Sequence, residues 1–152
     1  MFEYMYPFWA SLIALVTAQF LKPILHLIKY KEWDIWIARE SGGFPSSHSS
    51  LVSALTLAVG FREGFSSVLF AVTASFSIII IYDAANVRYY SGQNIQITQQ
   101  LIKDFQKITN NEFDNPIYHK KLKDVLGHRW FEVFGGIIWG VIISSIMYYW
   151  FK

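Results

Sequence analysis

The sequence predicts an all-α fold, an integral membrane bundle of about four transmembrane helices with one amphipathic helix in a polar loop. Three observations predict it. Of 152 residues, 53% are hydrophobic and 18% aromatic while only 16% are charged, too few to cover a water-soluble domain of this length. The apolar residues gather into four stretches. Between the third and fourth lies the single long polar segment, about 88–129, part of which has helical rather than alternating spacing. The length suits one membrane-embedded domain, 1–152. With no cysteine, disulfides and thiolate metal sites are excluded.

The first stretch runs from about Pro7 to Ile28 and reaches roughly 33 Å at about 1.5 Å per residue, enough to cross a bilayer. It is interrupted late by Gln19, Lys22 and Pro23. The preceding "MFEYMYPFW" lacks the basic region and small-residue cleavage site of a removable signal, so this segment is expected to be retained. The second stretch, about Ser46 to Phe61, reaches only roughly 24 Å, short for a full crossing. The third, about Gly64 to Tyr82, continues into the polar "DAANVR" and is expected to end at Arg88. Within the polar segment, Ile97, Leu101, Phe105 and Ile108 fall at spacings that place them on one helical face, and "NNEFDNP" reads as a turn. The fourth stretch, about Phe131 to Phe151, ends in "MYYWF", the aromatic cluster expected at a membrane interface.

With four alternating crossings, Lys29, Lys31, Arg39, Arg88, Lys103, Lys107, Lys120, Lys121, Lys123 and Arg129 fall on one side and Arg62 and Lys152 on the other. The basic side is expected to be cytoplasmic. Polar and charged groups at membrane depth are costly, and each is a functional candidate. Here they are Lys22, His26, His48, Asp83, Arg88, His128 and Glu132, all near helix ends on the basic side.

Three pieces carry chemistry. In "GGFPSSHSSL", Gly42 and Gly43 permit a tight turn, and Pro45 suits a first helical position. Ser46 and Ser47 bring hydroxyls to a helix start whose free N–H groups and positive dipole end favour an anion. His48, in that first turn, can exchange a proton with the anion near neutral pH. The plain alternative is a helix cap with a buried histidine. In "LGHRWFEVFGG", His128 and Glu132 share a helical face, so the carboxylate can hold one imidazole nitrogen and leave the other as a nucleophile; the alternative is a surface pair. In "YDAANVRYYSG", Arg88 can clamp a phosphate with paired donors, or simply snorkel. Lys22 deep in an apolar helix calls for an anion. A phosphate monoester carries about two charges, and two or three cations at roughly 4 Å would contribute several kcal/mol at an effective dielectric near 20.

These residues resemble the divergent bacterial and plant branch of the type 2 phosphatidic acid phosphatase superfamily, which also includes vanadium-dependent haloperoxidases. The resemblance covers nearly the whole chain. The parent signatures are K-x6-R-P, P-S-G-H and S-R-x5-H-x3-D. It implies that His48 is the general acid, His128 the nucleophile that becomes phosphohistidine, and Glu132 its orienting carboxylate. Ser46, Ser47, Arg88 and Lys22 would hold the phosphate, with Asp83, Arg39 and Arg129 as further candidates. The sequence departs at Ser47 for glycine, at Glu132 for aspartate, and by about forty residues between Arg88 and His128. No R-P follows Lys22, which leaves Lys29, Lys31 and Arg39 competing as its partner.

The implied function is a membrane lipid phosphate phosphatase acting on phosphatidylglycerophosphate, phosphatidate or a prenyl phosphate, without metal or cofactor, in a bacterial cytoplasmic membrane. The expected partners are the bilayer, the lipid substrate and a second copy that would complete a small bundle, and no nucleic acid. Two alternatives compete: a non-catalytic protein that binds or translocates such lipids, and a structural membrane subunit. The four histidines include no spacing that completes a metal site around His128 and Glu132, and the eleven acidic residues are scattered.

Overall fold

The computed structural model describes residues 4–39, 42–109, 113 and 127–151; every regular element among them is helical. Helix α1 (Tyr6–Tyr30) has proline in its first turn, where the missing N–H costs nothing. It runs through Pro23 and closes at Lys31, whose left-handed backbone (φ 59°) brings its N–H to the Leu27 carbonyl at 2.9 Å. A short 3-10 turn follows over Ile35–Arg39. Helix α2 (Ser47–Glu63) is capped by Ser46 and ends at Gly64, φ +88°. The Ser67 hydroxyl caps α3 (Val68–Tyr82), accepting from Phe70 N–H at 3.1 Å. A π turn (Asp83–Val87) joins α3 to α4 (Arg88–Thr109), and α5 (Trp130–Phe151) completes the described chain.

Among the described residues, three helices are long and apolar enough to cross a membrane: Tyr6–Tyr30, Val68–Thr109 and Trp130–Trp150. The four-stretch reading thus yields three candidate spans by length and composition, while α2, with 17 residues and roughly 25 Å long, runs between them. Outward faces carry Phe8, Phe20, Ile24, Phe76, Ile78, Ile79, Phe134 and Ile138, all exposed, as lipid-facing surfaces do. The protein is an integral membrane helical bundle.

Helix α2 is the centre, packed on α1, α3 and α5, and α1 also touches α5. Small residues permit this closeness. Along α1 the buried positions Tyr6, Ala10, Ala14, Ala18 and Lys22 recur every four residues. On α5, a Cβ at Gly136 would collide with the Ser46 carbonyl and one at Gly140 with the Ser50 carbonyl, a small-xxx-small contact that lets two backbones meet. Hydrogen bonds between helices add direction: Ser50 Oγ to the Ala14 carbonyl (3.2 Å), Trp139 Nε1 to Thr17 Oγ1 (3.0 Å), and Tyr6 OH to the Ser144 carbonyl (2.8 Å). These pairings set α2 and α5 parallel with α1 antiparallel to both. The end of α1 and the starts of α2 and α5 therefore lie at one end of the bundle.

Two sequence expectations change. Arg88 does not end a helix: α3, the π turn and α4 form one helix of 42 residues, Val68–Thr109, because no proline interrupts the run. Only part of the expected polar loop is therefore loop-like in sequence. Pro45 is not the first helical residue but precedes the Ser46 cap, after a cis Phe44–Pro45 peptide. The amphipathic face of α4 is present, with Ile97, Leu101, Phe105 and Ile108 exposed and Phe113 stacked on Phe105. The rest of the expected turn, along with Lys120, Lys121, Lys123 and Lys152, lies outside the described residues.

Candidate functional site

Helix α2 begins where Ser46 leaves extended backbone (φ −67°, ψ 114°). Its N–H donates to the Glu132 backbone carbonyl at 2.9 Å. The Ser46 hydroxyl oxygen accepts from Ser49 N–H at 3.3 Å and from Ser49 Oγ–H at 3.0 Å. A serine oxygen has two acceptor positions; with both used, the Ser46 proton remains to be donated. The first-turn N–H groups of Ser47 and His48 lie beyond reach of the helix's own ladder. Ser46 and Ser47 are both buried.

His128 stands just before α5. Its N–H donates to the Ala84 carbonyl at 2.9 Å, in the π turn where widening offsets the ladder. Gly127, φ +86°, presses this segment against the long helix: a Cβ there would collide with Tyr89 N and approach the Arg88 carbonyl carbon at 2.7 Å. Glu132 Oε2 accepts from His128 Nδ1 at 2.9 Å and from Arg129 N–H at 3.3 Å. The second bond is half of a capping box, with the third helical residue reaching back to the cap. The first assigns the Nδ1–H tautomer and leaves the Nε2 lone pair outward.

The two imidazoles are neighbours. Their centroids are 6.5 Å apart, and His128 is only 2% exposed. Buried nitrogens His48 Nδ1 and His128 Nε2 have no hydrogen-bond partner among the described residues, a costly arrangement unless something else meets them. The charges of Arg88, Lys22 and Asp83 and the His128 ring all act on His48. Arg88 Nε is held by Asp83 Oδ2 at 2.7 Å. Lys22 is 3% exposed, although it belongs to a membrane helix, and its stem faces Gly43, φ +89°.

Of the sequence candidates, the structure therefore brings together His48, His128, Glu132, Ser46, Ser47, Lys22, Arg88 and Asp83. It does not bring in Arg39, which is exposed and packs over the Trp36 ring at 4.8 Å. The Arg129 side chain is likewise exposed, and only its backbone joins the network. Of Lys22's competing partners, Lys29 sits over Tyr30 at 5.0 Å and Lys31 caps α1, so Arg88 is the cation that shares the His48 surroundings with Lys22. The sequence reading missed Ser49, Gly127 and the Ala84 carbonyl. Only Gly127 left a signal, as a glycine directly before the key histidine. Among the described residues no cluster of three metal-ligating side chains occurs.

A family model described as the divergent PAP2 family matches residues 5–143. The chain is also similar to the uncharacterized membrane protein YuiD of Bacillus subtilis (strain 168), 36% identical over 151 residues and covering 96% of each chain. No solved structure matches.

Proposed function

The chain belongs to the divergent PAP2 family, and from that premise we propose that it hydrolyses a lipid phosphomonoester through a phosphohistidine on His128. One observation carries the reading: two imidazoles 6.5 Å apart, each with a buried nitrogen unpartnered among the described residues, one of them oriented by a carboxylate. A nucleophile near attack stands about 3–3.5 Å from its target and a general acid about 2.6–3.2 Å from the atom it protonates. Rings at this separation can flank one phosphoryl group.

His128 Nε2 attacks phosphorus and forms the N–P bond as the ester P–O bond breaks. His48 gives its proton to the departing lipid alkoxide. Glu132 stabilises the positive charge that develops on the His128 ring. Lys22, Arg88 and the Ser47 and His48 amides hold the equatorial oxygens, where charge gathers in the transition state. Water then attacks the phosphohistidine, His48 takes a proton back, and inorganic phosphate and a lipid alcohol leave. The chain's own residues supply every step, so no metal or cofactor is assigned.

A substrate whose tail stays in the bilayer suits a site at the start of a short, central α2, which would hold His48 just below the membrane interface. Phosphatidate, phosphatidylglycerophosphate and prenyl phosphates share the chemistry. Among the described residues, Lys29, Lys31, Arg39, Arg88 and Arg129 lie toward this end and Arg62 toward the other, supporting a cytoplasmic active face. The test is phosphate release from these lipids by purified protein, with His128→Ala and vanadate as controls. Turnover abolished by both is expected; lipid binding without turnover in the unaltered protein would refute the enzyme. Since the chain has no cysteine, labelling a Thr98→Cys variant in sealed vesicles reports the face.

A further inference from the structure

A cavity of about 580 Å³ adjoins the phosphate site, between the C-terminal half of α1, the 3-10 turn and the start of α5. Much of its wall is apolar, with Leu25, Ile28, Ile37, Phe44 and Phe131 contributing, and Lys22, His26, Lys29, Tyr30 and Glu132 line it as well. Lys22 and Glu132 are also members of the site described above. The volume falls within the roughly 300–1,000 Å³ of small-molecule pockets.

We propose that this cavity seats the hydrocarbon chain of the lipid phosphate in the region next to its head, so that Leu25, Ile37, Phe44 and Phe131 determine which chains are accepted. The proposal rests on the phosphatase reading for the head group and adds the tail. Three observations select this occupant. A buried cation at one end of an apolar chamber complements an anionic amphiphile; a sugar phosphate would leave the walls unused. The chamber reaches the outer surface at Ile28 and Phe131, 71% and 55% exposed, beside the lipid-facing Ile24 and Leu27 of α1, so a longer chain continues into the bilayer. Its aromatic wall is preformed: Phe44 and Phe131 stack at 5.9 Å and 15°. Gly135 makes room for the Phe44 ring, into which a Cβ would collide.

The test compares dihexanoyl and dioleoyl phosphatidate. Leu25→Trp and Ile37→Trp fill the cavity, and each is expected to lower the long-to-short ratio of kcat/KM about tenfold or more, whereas Ile24→Trp, on an exposed position outside the lining, leaves the ratio as it was. An unchanged ratio in both filled variants overturns the proposal. Photolabelling of the unaltered protein in nanodiscs, with a phosphatidate carrying a diazirine near the head of its chain, decides independently of folding or turnover. Adducts on residues 25–44 and on Phe131 are expected; adducts confined to α3 overturn it. If no lipid phosphate is hydrolysed, the phosphatase reading falls, while the labelling pattern still decides the cavity.

Discussion

The backbone N–H of Ser46 donates to the backbone carbonyl of Glu132 at 2.9 Å, joining the cap of α2 to the first turn of α5. His48 lies in the first turn of α2 and His128 just before α5, each about a turn or less from that bond. The imidazole separation is thus set by main chain, beneath any side-chain adjustment.

The α2–α5 contact should tolerate no added volume. Gly136→Val places atoms where the Ser46 carbonyl stands, and overpacking of this kind costs about 1–3 kcal/mol. Thermal unfolding in detergent should show a lower midpoint, and phosphate release should fall further than stability alone accounts for. A variant with unaltered midpoint and activity would show that the helices are not in this register.

Gly127→Ala should be destabilising for a different reason. The residue has φ +86° and abuts the Tyr89 amide; a side chain in such backbone costs about 1–3 kcal/mol. Because His128 follows directly, activity should be lost even at temperatures where the variant is folded by circular dichroism.

Removing the Glu132 carboxylate should act on chemistry more than on binding. Glu132→Ala frees the Nδ1–H that it holds at 2.9 Å, and kcat should fall about 10²-fold or more, the usual scale for a misplaced base or nucleophile, with KM little altered. A change confined to KM would assign the carboxylate to substrate binding instead.

Leaving-group dependence should identify His48. General acid catalysis is worth about 10²–10⁴ when the departing oxygen is basic, so His48→Ala should cripple hydrolysis of an alkyl lipid phosphate and affect p-nitrophenyl phosphate far less. Equal losses on both would remove its role as acid.

Ser49→Ala should weaken phosphate binding from a distance. Losing both the Oγ–H bond to Ser46 and the pre-set direction of the Ser46 proton corresponds to about 0.5–1.5 kcal/mol for a hydrogen bond, a few-fold to roughly tenfold rise in KM with kcat nearly constant. A loss confined to kcat would remove Ser49 from phosphate binding.

The fold was legible where composition dominates. The bounds of the first and fourth stretches differ from α1 and α5 by at most two residues, because long apolar runs leave no alternative to a helix in lipid. The fusion of α3 with α4 was hidden, since hydropathy falls at Asp83 while helical hydrogen bonding continues. At the site, the contact of His128 with Glu132 was readable from their four-residue spacing, although His128 stands before α5 and not on its face, and His48 was readable from its place in a capped first turn. Arg39 was not, because its direction depends on a 3-10 turn that no periodicity announces. The anchoring of His128 by Ala84 is a backbone interaction, and backbone acceptors carry no sequence mark.

The unbroken 42-residue helix has one more effect. Because the helical backbone continues through the π turn, a rotation of α4 is passed to Arg88 and on to Ile78, Ile79 and Ile80 of α3. The bearing of the arginine toward its neighbours is therefore steered as much by the oil around one half of the helix as by Asp83 beside it.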